Sequence, residues 1–152
     1  MVFPIVGGDG KPTGYEIENS LRFNDDDSPN LTDRPASGNR KTFTFSTWFK
    51  RSNLKPSGEN FLFGGSSDGA NDTTEFKLQN DQLTFIIFDG SSNTSYIRTT
   101  AKLRDISAWY HVVFRIDLTQ ATNTNRIRLY INGVLQTSLD QTTYDAQNND
   151  SF

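Results

Sequence analysis

The sequence predicts an all-β protein, an antiparallel sandwich or barrel, from three observations. Residues 42–51 and 109–118 alternate apolar and polar side chains with a period of two, which is typical of strands with one buried face. Asn132-Gly133 lies between apolar flanks and indicates a hairpin, because a type I′ turn needs positive φ at both central residues. No segment shows a sustained helical period with capping residues. Roughly nine or ten short strands with turn signals are typical of such folds.

The remaining elements follow from short apolar runs between polar or glycine-rich stretches. The predicted strands are 20–24, 60–65, 75–79, 82–88, 95–100 and 126–139, and 103–108 is predicted to be a connection or a short helical turn. Asn80-Asp81 is predicted to be a hairpin turn. Residues 83–88 are apolar on both faces, which predicts a central strand of a sheet.

Composition excludes several classes of site. The 152 residues fit one domain, and the absence of cysteine excludes disulfides, zinc-thiolate sites and cysteine nucleophiles. The net charge of −3 has interspersed signs, so no nucleic-acid groove is expected, and no stretch approaches the ~20 apolar residues of a membrane span. Residues 1–15 carry four of the eleven glycines and two of the five prolines, which predicts an extended arm before a folded domain at 16–152.

The single histidine, His111, lies within a predicted strand. Alternation places Tyr110 and Phe114 on the core face and puts His111 on the opposite face beside Trp109. The nearest carboxylate in sequence on that face is Asp117, ~20 Å along the strand. A general base needs a reaction partner within hydrogen-bond reach, so we expect His111 to pack or hydrogen-bond on the sheet surface. Its substitution is then expected to change stability and not binding.

Two stretches resemble a known family. Residues 108–117, "AWYHVVFRID", and 126–136, "RIRLYINGVLQ", resemble the W-x-H strand and the hairpin of laminin G-like domains, which are concanavalin A-like jelly-roll sandwiches. Residues 18–52 resemble the opening of laminin G-like modules in structural and tail-fibre proteins of marine bacteriophages. The resemblance covers residues 18 to about 139.

The resemblance implies a non-catalytic virion protein, a module of a tail fibre or capsid appendage that serves assembly or attachment to the host surface. The implied location is the virion. The implied partners are other virion proteins, bound through the arm 1–15, and a host-surface glycan. The alternative is a soluble, lectin-like carbohydrate-binding module. A jelly-roll sandwich hosts lectins, enzymes and scaffolds, so the fold by itself does not choose between them.

The sequence offers two acids as candidate catalytic residues and three tyrosines as candidate sugar-binding residues. Glu16 and Glu18 alternate as two of the three acids on the catalytic strand of some glycosidases do. They lie in the first segment of the chain and not on a central strand, and the third acid of that pattern is missing. No catalytic residue and no enzyme activity are therefore predicted. Tyr96, Tyr130 and Tyr144 are the candidates for stacking on a sugar, although tyrosine is also ordinary on sheets.

Oxygen-rich loops make calcium the metal to consider. Calcium takes six to eight oxygen ligands, and laminin G-like domains often hold one calcium at the sandwich rim. The candidate ligands are Asp68, Asn71 and Asp72, ahead of residues 25–27. No EF-hand spacing is present, and solvated turns are favoured over a calcium site.

The chain turns polar soon after its last hairpin, which predicts a sandwich truncated at the C-terminus, a fragment, or a domain completed by something else. Residues 142–152 could fold back so that Tyr144 and Phe152 cover the gap, or neighbouring protomers could cover it. Because eight of the last eleven residues are polar, we expect the second. It implies a homo-oligomer, a trimer if the protein is a fibre, with an interface near Leu21 and Phe23.

Overall fold

A computed structural model of the chain describes residues 38–66 and 72–150. All of them belong to one compact unit that spans residues 37–152. The predicted arm, its boundary at residue 15 and the predicted strand 20–24 lie outside the described residues. A search of the described residues finds no helix with the length and apolar character needed to cross a membrane.

The described part of the chain forms nine strands and a single 3₁₀ turn, Asn123–Asn125. The strands are β1 (Thr42–Lys50), β2 (Glu59–Ser66), β3 (Asp72–Gln79), β4 (Gln82–Asp89), β5 (Asn93–Lys102), β6 (Trp109–Asp117), β7 (Ile127–Ile131), β8 (Val134–Leu135) and β9 (Leu139–Thr143). The strands predicted from residue 42 to residue 118 are confirmed to within a few residues at their ends. The segment 126–139 is divided among β7, β8 and the start of β9.

The strands form two antiparallel sheets, which confirms the jelly-roll sandwich. One sheet has the order β1-β6-β7-β8, and the other has the order β2-β3-β4-β5-β9. The chain enters the four-stranded sheet at β1, builds most of the five-stranded sheet, returns for β6 to β8, and crosses back for β9. As predicted, the strand with two apolar faces, β4, lies at the centre of its sheet.

Phenylalanine rings meet at the middle of a core that also contains leucine, isoleucine and valine. Phe76 on β3 is fully buried, and its ring meets Phe114 of the opposite sheet edge-to-face at 4.9 Å between centroids. Phe85 approaches Phe76 at 5.1 Å, also edge-on, and Phe45 lies at 5.2 Å. Such pairs add about 0.5–1.5 kcal/mol each beyond the burial of their area. Three phenylalanines are fully buried in this core, and aliphatic side chains supply most of its other buried residues.

Both predicted hairpin turns are present. Asn80 and Asp81 have φ of 54° and 67°, and Asn132 and Gly133 have φ of 50° and 79°. Two consecutive residues in the left-handed region are the signature of a type I′ turn, whose twist matches that of the strands it joins. The first turn connects β3 to β4, and the second connects β7 to β8.

A buried ion pair joins three connections at one end of the sandwich. The Arg51 guanidinium donates from Nη1 to Asp81 Oδ1 at 2.6 Å and to the Leu103 carbonyl at 2.7 Å. Arg104 Nε reaches Asp81 Oδ2 at 3.1 Å. Burial by itself would raise the pKa of Asp81, but the hydrogen bonds from the two arginines outweigh burial and hold that pKa below its usual value. The turn between β3 and β4 is therefore tied to the segments after β1 and β5.

The C-terminal segment packs against the sandwich within the chain, as in the first of the two predicted alternatives for covering the gap. The predicted homo-oligomer stays a prediction, because its interface near Leu21 and Phe23 lies outside the described residues. β9 pairs with β5 along the edge of the five-stranded sheet, and Tyr144 packs against the core. Asp145 is buried, where its backbone N–H donates to Ser95 Oγ at 3.1 Å and its carboxylate accepts from Thr94. Polar composition did not prevent closure, because these polar groups are paired inside the fold.

Arg126 lies immediately before β7, within the predicted strand 126–139 but outside the observed strand. It is buried just before β7, and its guanidinium donates to the carbonyls of Gln120, Ala121 and Asp145 at 2.6–3.0 Å. It therefore fastens the C-terminal segment to the loop before β7.

Candidate binding face of the four-stranded sheet

Both tryptophans of the chain lie on the outer face of the four-stranded sheet. Trp48 on β1 is 56% exposed and Trp109 on β6 is 55% exposed. The rings of Trp48 and His111 are stacked, with 4.8 Å between centroids and 20° between planes. We call the group formed by Trp48, Trp109 and His111 the tryptophan platform.

The strand register brings these three side chains together. Trp48 lies opposite His111, and Lys50 lies opposite Trp109, so the two tryptophans are diagonal neighbours on adjacent strands. Diagonal neighbours on one face lie about 7–8 Å apart. Alternation turns Phe49 and Tyr110 toward the core, and so the residues beside them must face outward.

His111 is held by hydrogen bonds as well as by stacking. Its Nε2 lies 2.9 Å from Ser46 Oγ, and its backbone N–H donates to Asn132 Oδ1 at 2.9 Å. These bonds agree with the predicted packing and hydrogen-bonding role. The stacking revises one part of the prediction: since His111 orients Trp48, its substitution is expected to disturb whatever Trp48 binds.

Further along the same face, the side chains change from aromatic to cationic. Val113 lies opposite Tyr130, and in the next row Arg115 lies opposite Arg128. Arg115 forms an ion pair with Asp117 at 3.0 Å. The carboxylate of Asp117 also accepts from Thr119, and the hydrogen bonds of Thr119 and Gln120 hold the Asp117 pKa below its usual value.

A cavity of about 250 Å³ is lined by none of the residues of the tryptophan platform. Its apolar lining comes from β5, β7 and β9 and from the segment after β8, including Ile97, Leu129, Leu139 and Tyr144. Burial raises the pKa of the Tyr144 hydroxyl. The cavity is lined by residues of both sheets, because β7 belongs to the four-stranded sheet and β5 and β9 to the five-stranded sheet.

The tryptophan platform combines flat apolar surfaces with hydrogen-bonding groups. An indole ring can cover the C–H face of a pyranose, while Ser46, His111 and Asn132 offer polar atoms to hydroxyl groups at the ring edge. Exposed aromatic groups that are contiguous on one face mark interaction sites more often than scattered apolar residues do. This face therefore combines exposed apolar rings with hydrogen-bonding side chains, the two kinds of group that contact sugars.

A family model of laminin G-like domains, described as the concanavalin A-like lectin/glucanases superfamily, matches residues 23–152. The chain belongs to this family. No curated protein and no solved structure matches the chain significantly. Laminin G-like domains are generally non-catalytic binding modules, and membership supports a lectin-like or carbohydrate-binding module.

The three predicted sugar-stacking tyrosines lie in three separate places of this laminin G-like domain. Tyr130 shares the outer face of the four-stranded sheet with the tryptophan platform. Tyr144 packs against the core and lines the cavity. Tyr96 lies half-buried in the five-stranded sheet, where its hydroxyl donates to Gln79 at 2.6 Å and accepts from Arg98 at 2.9 Å. Of the three, Tyr130 alone lies on the sheet face that carries the two tryptophans, and Val113 and His111 are its neighbours there.

Of the predicted calcium ligands, only Asp72 lies within the described residues. Asp68 and Asn71, like residues 25–27, lie outside them. Asp72 begins β3 and lies opposite Asp89, and the backbone and hydroxyl donors of Ser91 and Ser92 hold the pKa of Asp89 below its usual value. Within residues 38–66 and 72–150, no three His, Cys, Asp or Glu side chains form a metal-binding group. The calcium site stays a prediction.

Sequence reasoning missed the two tryptophans as binding residues. Alternation had already placed Trp48 and Trp109 on the faces opposite the core. The sequence feature that could have indicated them is that both tryptophans occupy outward positions of strongly alternating strands. The pairing of those two strands, which makes them neighbours, is not visible in the sequence.

Proposed function

We propose that this laminin G-like domain is a non-catalytic module that binds carbohydrate through the tryptophan platform. The observation that carries the proposal is the exposure of both tryptophans on one sheet face. A tryptophan can bury about 150–250 Å² of surface, and at about 25 cal/mol per Å² an exposed one forgoes several kcal/mol of stabilisation. Binding a partner would recover that free energy.

The non-catalytic part of the proposal rests on how the ionisable groups near the tryptophan platform are used. Glycoside hydrolysis needs two carboxyl groups about 5–9.5 Å apart. The carboxylate of Asp117 is held by Arg115 and Thr119, which suits an ion pair rather than proton transfer. The Nε2 atom of His111 is hydrogen-bonded to the Ser46 hydroxyl, and the imidazole ring is covered on one side by Trp48.

A glycan array tests the proposal directly. The wild-type chain is expected to bind a defined subset of glycans, and the double variant Trp48→Ala/Trp109→Ala is expected to lose that binding at equal protein concentration. Phe61→Ala is the matched control, because Phe61 on β2 is 59% exposed but lies on the other sheet. Binding that survives the double variant, or an array without any binding, would contradict the proposal.

We further propose that the module serves a bacteriophage virion, as part of a tail fibre or capsid appendage, and attaches the particle to a host-surface glycan. This step is supported by the resemblance of residues 18–52 to phage structural modules and by the apolar residues Val2, Phe3, Ile5 and Val6 of the arm, which suit a partner's surface. Mass spectrometry of purified particles should find the chain at a fixed stoichiometry.

Deletion of residues 2–8 should abolish incorporation into particles while glycan binding persists. A chain that binds glycans yet is absent from particles would instead establish the soluble lectin-like module.

A further inference from the structure

We propose that the cavity lined by both sheets binds a small anionic amphiphile, a monocarboxylate with an apolar chain of about eight carbon atoms. None of the residues of the tryptophan platform lines this cavity, so the proposal goes beyond the proposed carbohydrate-binding function. Three properties of the cavity define the ligand: its aliphatic lining, its volume and its one charged residue.

The most deeply buried part of the lining is aliphatic. Ile97 on β5 is buried, as are Ile127 and Leu129 on β7, and Leu139 on β9 packs against the same core. Aliphatic side chains cannot hydrogen-bond a polar group, and a polar group placed against them would lose its bonds to water. The part of a ligand that contacts these residues must therefore be apolar.

Other residues of the lining are exposed and connect the cavity to solvent. Thr124 and Thr137 are exposed, and Leu135 on β8 is 38% exposed. A ligand that enters beside them can place an apolar end against Ile97 and Leu129 and keep a polar end near water. A lining that changes from buried aliphatic residues to exposed polar ones is complementary to an amphiphile.

The volume of the cavity sets the length of the apolar chain. An apolar cavity of about 150 Å³ can take up benzene, which has six carbon atoms. The cavity of this domain measures about 250 Å³. By that proportion it accommodates about eight to ten carbon atoms.

The charge of the cavity defines the polar end of the ligand. Arg128 is the one charged residue in the lining, among the residues that the structure describes. Its Nη2 donates to Oδ1 of Asn125, which also lines the cavity, at 2.7 Å. This partner is neutral, whereas Arg115, opposite Arg128 in the register, forms an ion pair with Asp117. Because the donor fork of a guanidinium matches the two oxygens of a carboxylate, the cavity favours a monoanion.

Tyr144 adds a hydrogen-bond donor to the same lining. Burial raises the pKa of its hydroxyl, which is therefore protonated at neutral pH. The hydroxyl can then donate to a carboxylate, and it adds no negative charge that would repel one.

Isothermal titration of hexanoate, octanoate, octanol and octylamine into the full chain tests the proposal. Octanoate should bind about 15-fold more tightly than hexanoate, the ratio that two further CH₂ groups give at about 0.8 kcal/mol each. Octanol and octylamine should bind at least tenfold more weakly than octanoate. In nuclear magnetic resonance spectra, the chain protons of octanoate should show nuclear Overhauser effects to the methyl groups of Ile97 and Leu129.

Two arginine variants test the role of the charge. Arg128→Gln should reduce octanoate affinity tenfold or more and leave octanol affinity unchanged, since glutamine keeps a donor for Asn125 but has no charge. Arg115→Gln is the matched control, because Arg115 lies opposite Arg128 and does not line the cavity. Its octanoate affinity should stay within threefold of the wild type.

Several outcomes would overturn the proposal: no binding of octanoate, octanol binding as tight as that of octanoate, or equal losses in the two arginine variants. The double variant Trp48→Ala/Trp109→Ala should bind octanoate as the wild type does. A loss of octanoate binding in that variant would place the amphiphile at the tryptophan platform and remove the cavity site. The glycan array bears only on the proposed function, so the two proposals can fail independently.

Discussion

The two faces of β6 both carry aromatic side chains, but the fold uses them differently. Tyr110 and Phe114 face inward and are buried, and Phe114 meets Phe76 of the opposite sheet edge-to-face. Trp109 faces outward and stays more than half exposed. On the inner face, aromatic rings satisfy one another across the sandwich. On the outer face, Trp48 stacks on a polar partner, His111, and more than half of the Trp48 surface stays exposed.

The comparison teaches that aromatic content alone does not distinguish a core from a binding surface. The distinction lies in what covers the ring. Inner residues lose contacts on all sides when truncated, whereas outer residues lose contacts on one side. Stability measurements and binding measurements should therefore respond in opposite ways to substitutions on the two faces.

The largest effect on stability is expected from Phe76→Ala. Removing a fully buried ring at the centre of the phenylalanine core should lower the free energy of unfolding by about 3–5 kcal/mol. Trp48→Ala should lower it by only about 1 kcal/mol, because this ring is 56% exposed and is covered on one side by His111. Urea denaturation of both variants tests the contrast. Equal losses would mean that the outer face is covered in the folded chain and would end the distinction between the faces.

A comparable loss is expected from Asp81→Asn, which removes one partner of the buried ion pair. The Arg51 guanidinium would remain buried without its counter-charge, at a cost of about 3–5 kcal/mol. Thermal unfolding at neutral pH measures the effect. Glycan affinity of the folded variant should be unchanged, because Asp81 lies in the turn between β3 and β4 and does not belong to the tryptophan platform.

The carboxylate of Asp81 should also make the stability of the fold depend on pH. The pKa of Asp81 is lowered in the folded state from its ordinary 3.8. The unfolded chain therefore binds a proton first as pH falls, so the stabilisation is complete above about pH 4 and is lost progressively at lower pH. Denaturation midpoints between pH 6 and pH 2 should fall more steeply in the wild type than in Asp81→Asn. Parallel curves would show that other carboxylates dominate acid unfolding.

A smaller change is expected from His111→Gln on the outer face. Loss of the ring that bonds Ser46 and stacks on Trp48 should cost about 1 kcal/mol of stability. It should also weaken glycan binding, but less than Trp48→Ala does, because Gln can retain a hydrogen bond while the stack is lost. Isothermal titration with the same glycan compares the two variants. An affinity equal to that of the wild type would show that His111 does not position Trp48.

The smallest effect is expected from Tyr96→Phe in the five-stranded sheet. The change removes the hydroxyl that joins Gln79 to Arg98, at about 0.5 kcal/mol for a half-exposed network. Glycan affinity should not change. A clear loss of glycan binding would instead place a sugar site in the five-stranded sheet. The relevant contrast would then be between the two sheets and not between the two faces of β6.

The sequence by itself determined the strands, their faces and the hairpins. These features are local: side chains alternate with a period of two, and Asn80-Asp81 and Asn132-Gly133 tolerate the positive φ that a tight hairpin needs. It also placed Trp48, Trp109 and His111 outward, because the inward positions of β1 and β6 are occupied by residues such as Phe45 and Phe114.

Only the tertiary structure decided which outward residues meet and how the chain ends. The pairing of β1 with β6 joins segments far apart in sequence, and its register, Trp48 opposite His111, depends on both strands at once. Closure by residues 139–150 was likewise invisible in a polar composition. It is favourable because Asp145 and the carbonyls around Arg126 find hydrogen-bond partners inside the fold, which no local pattern records.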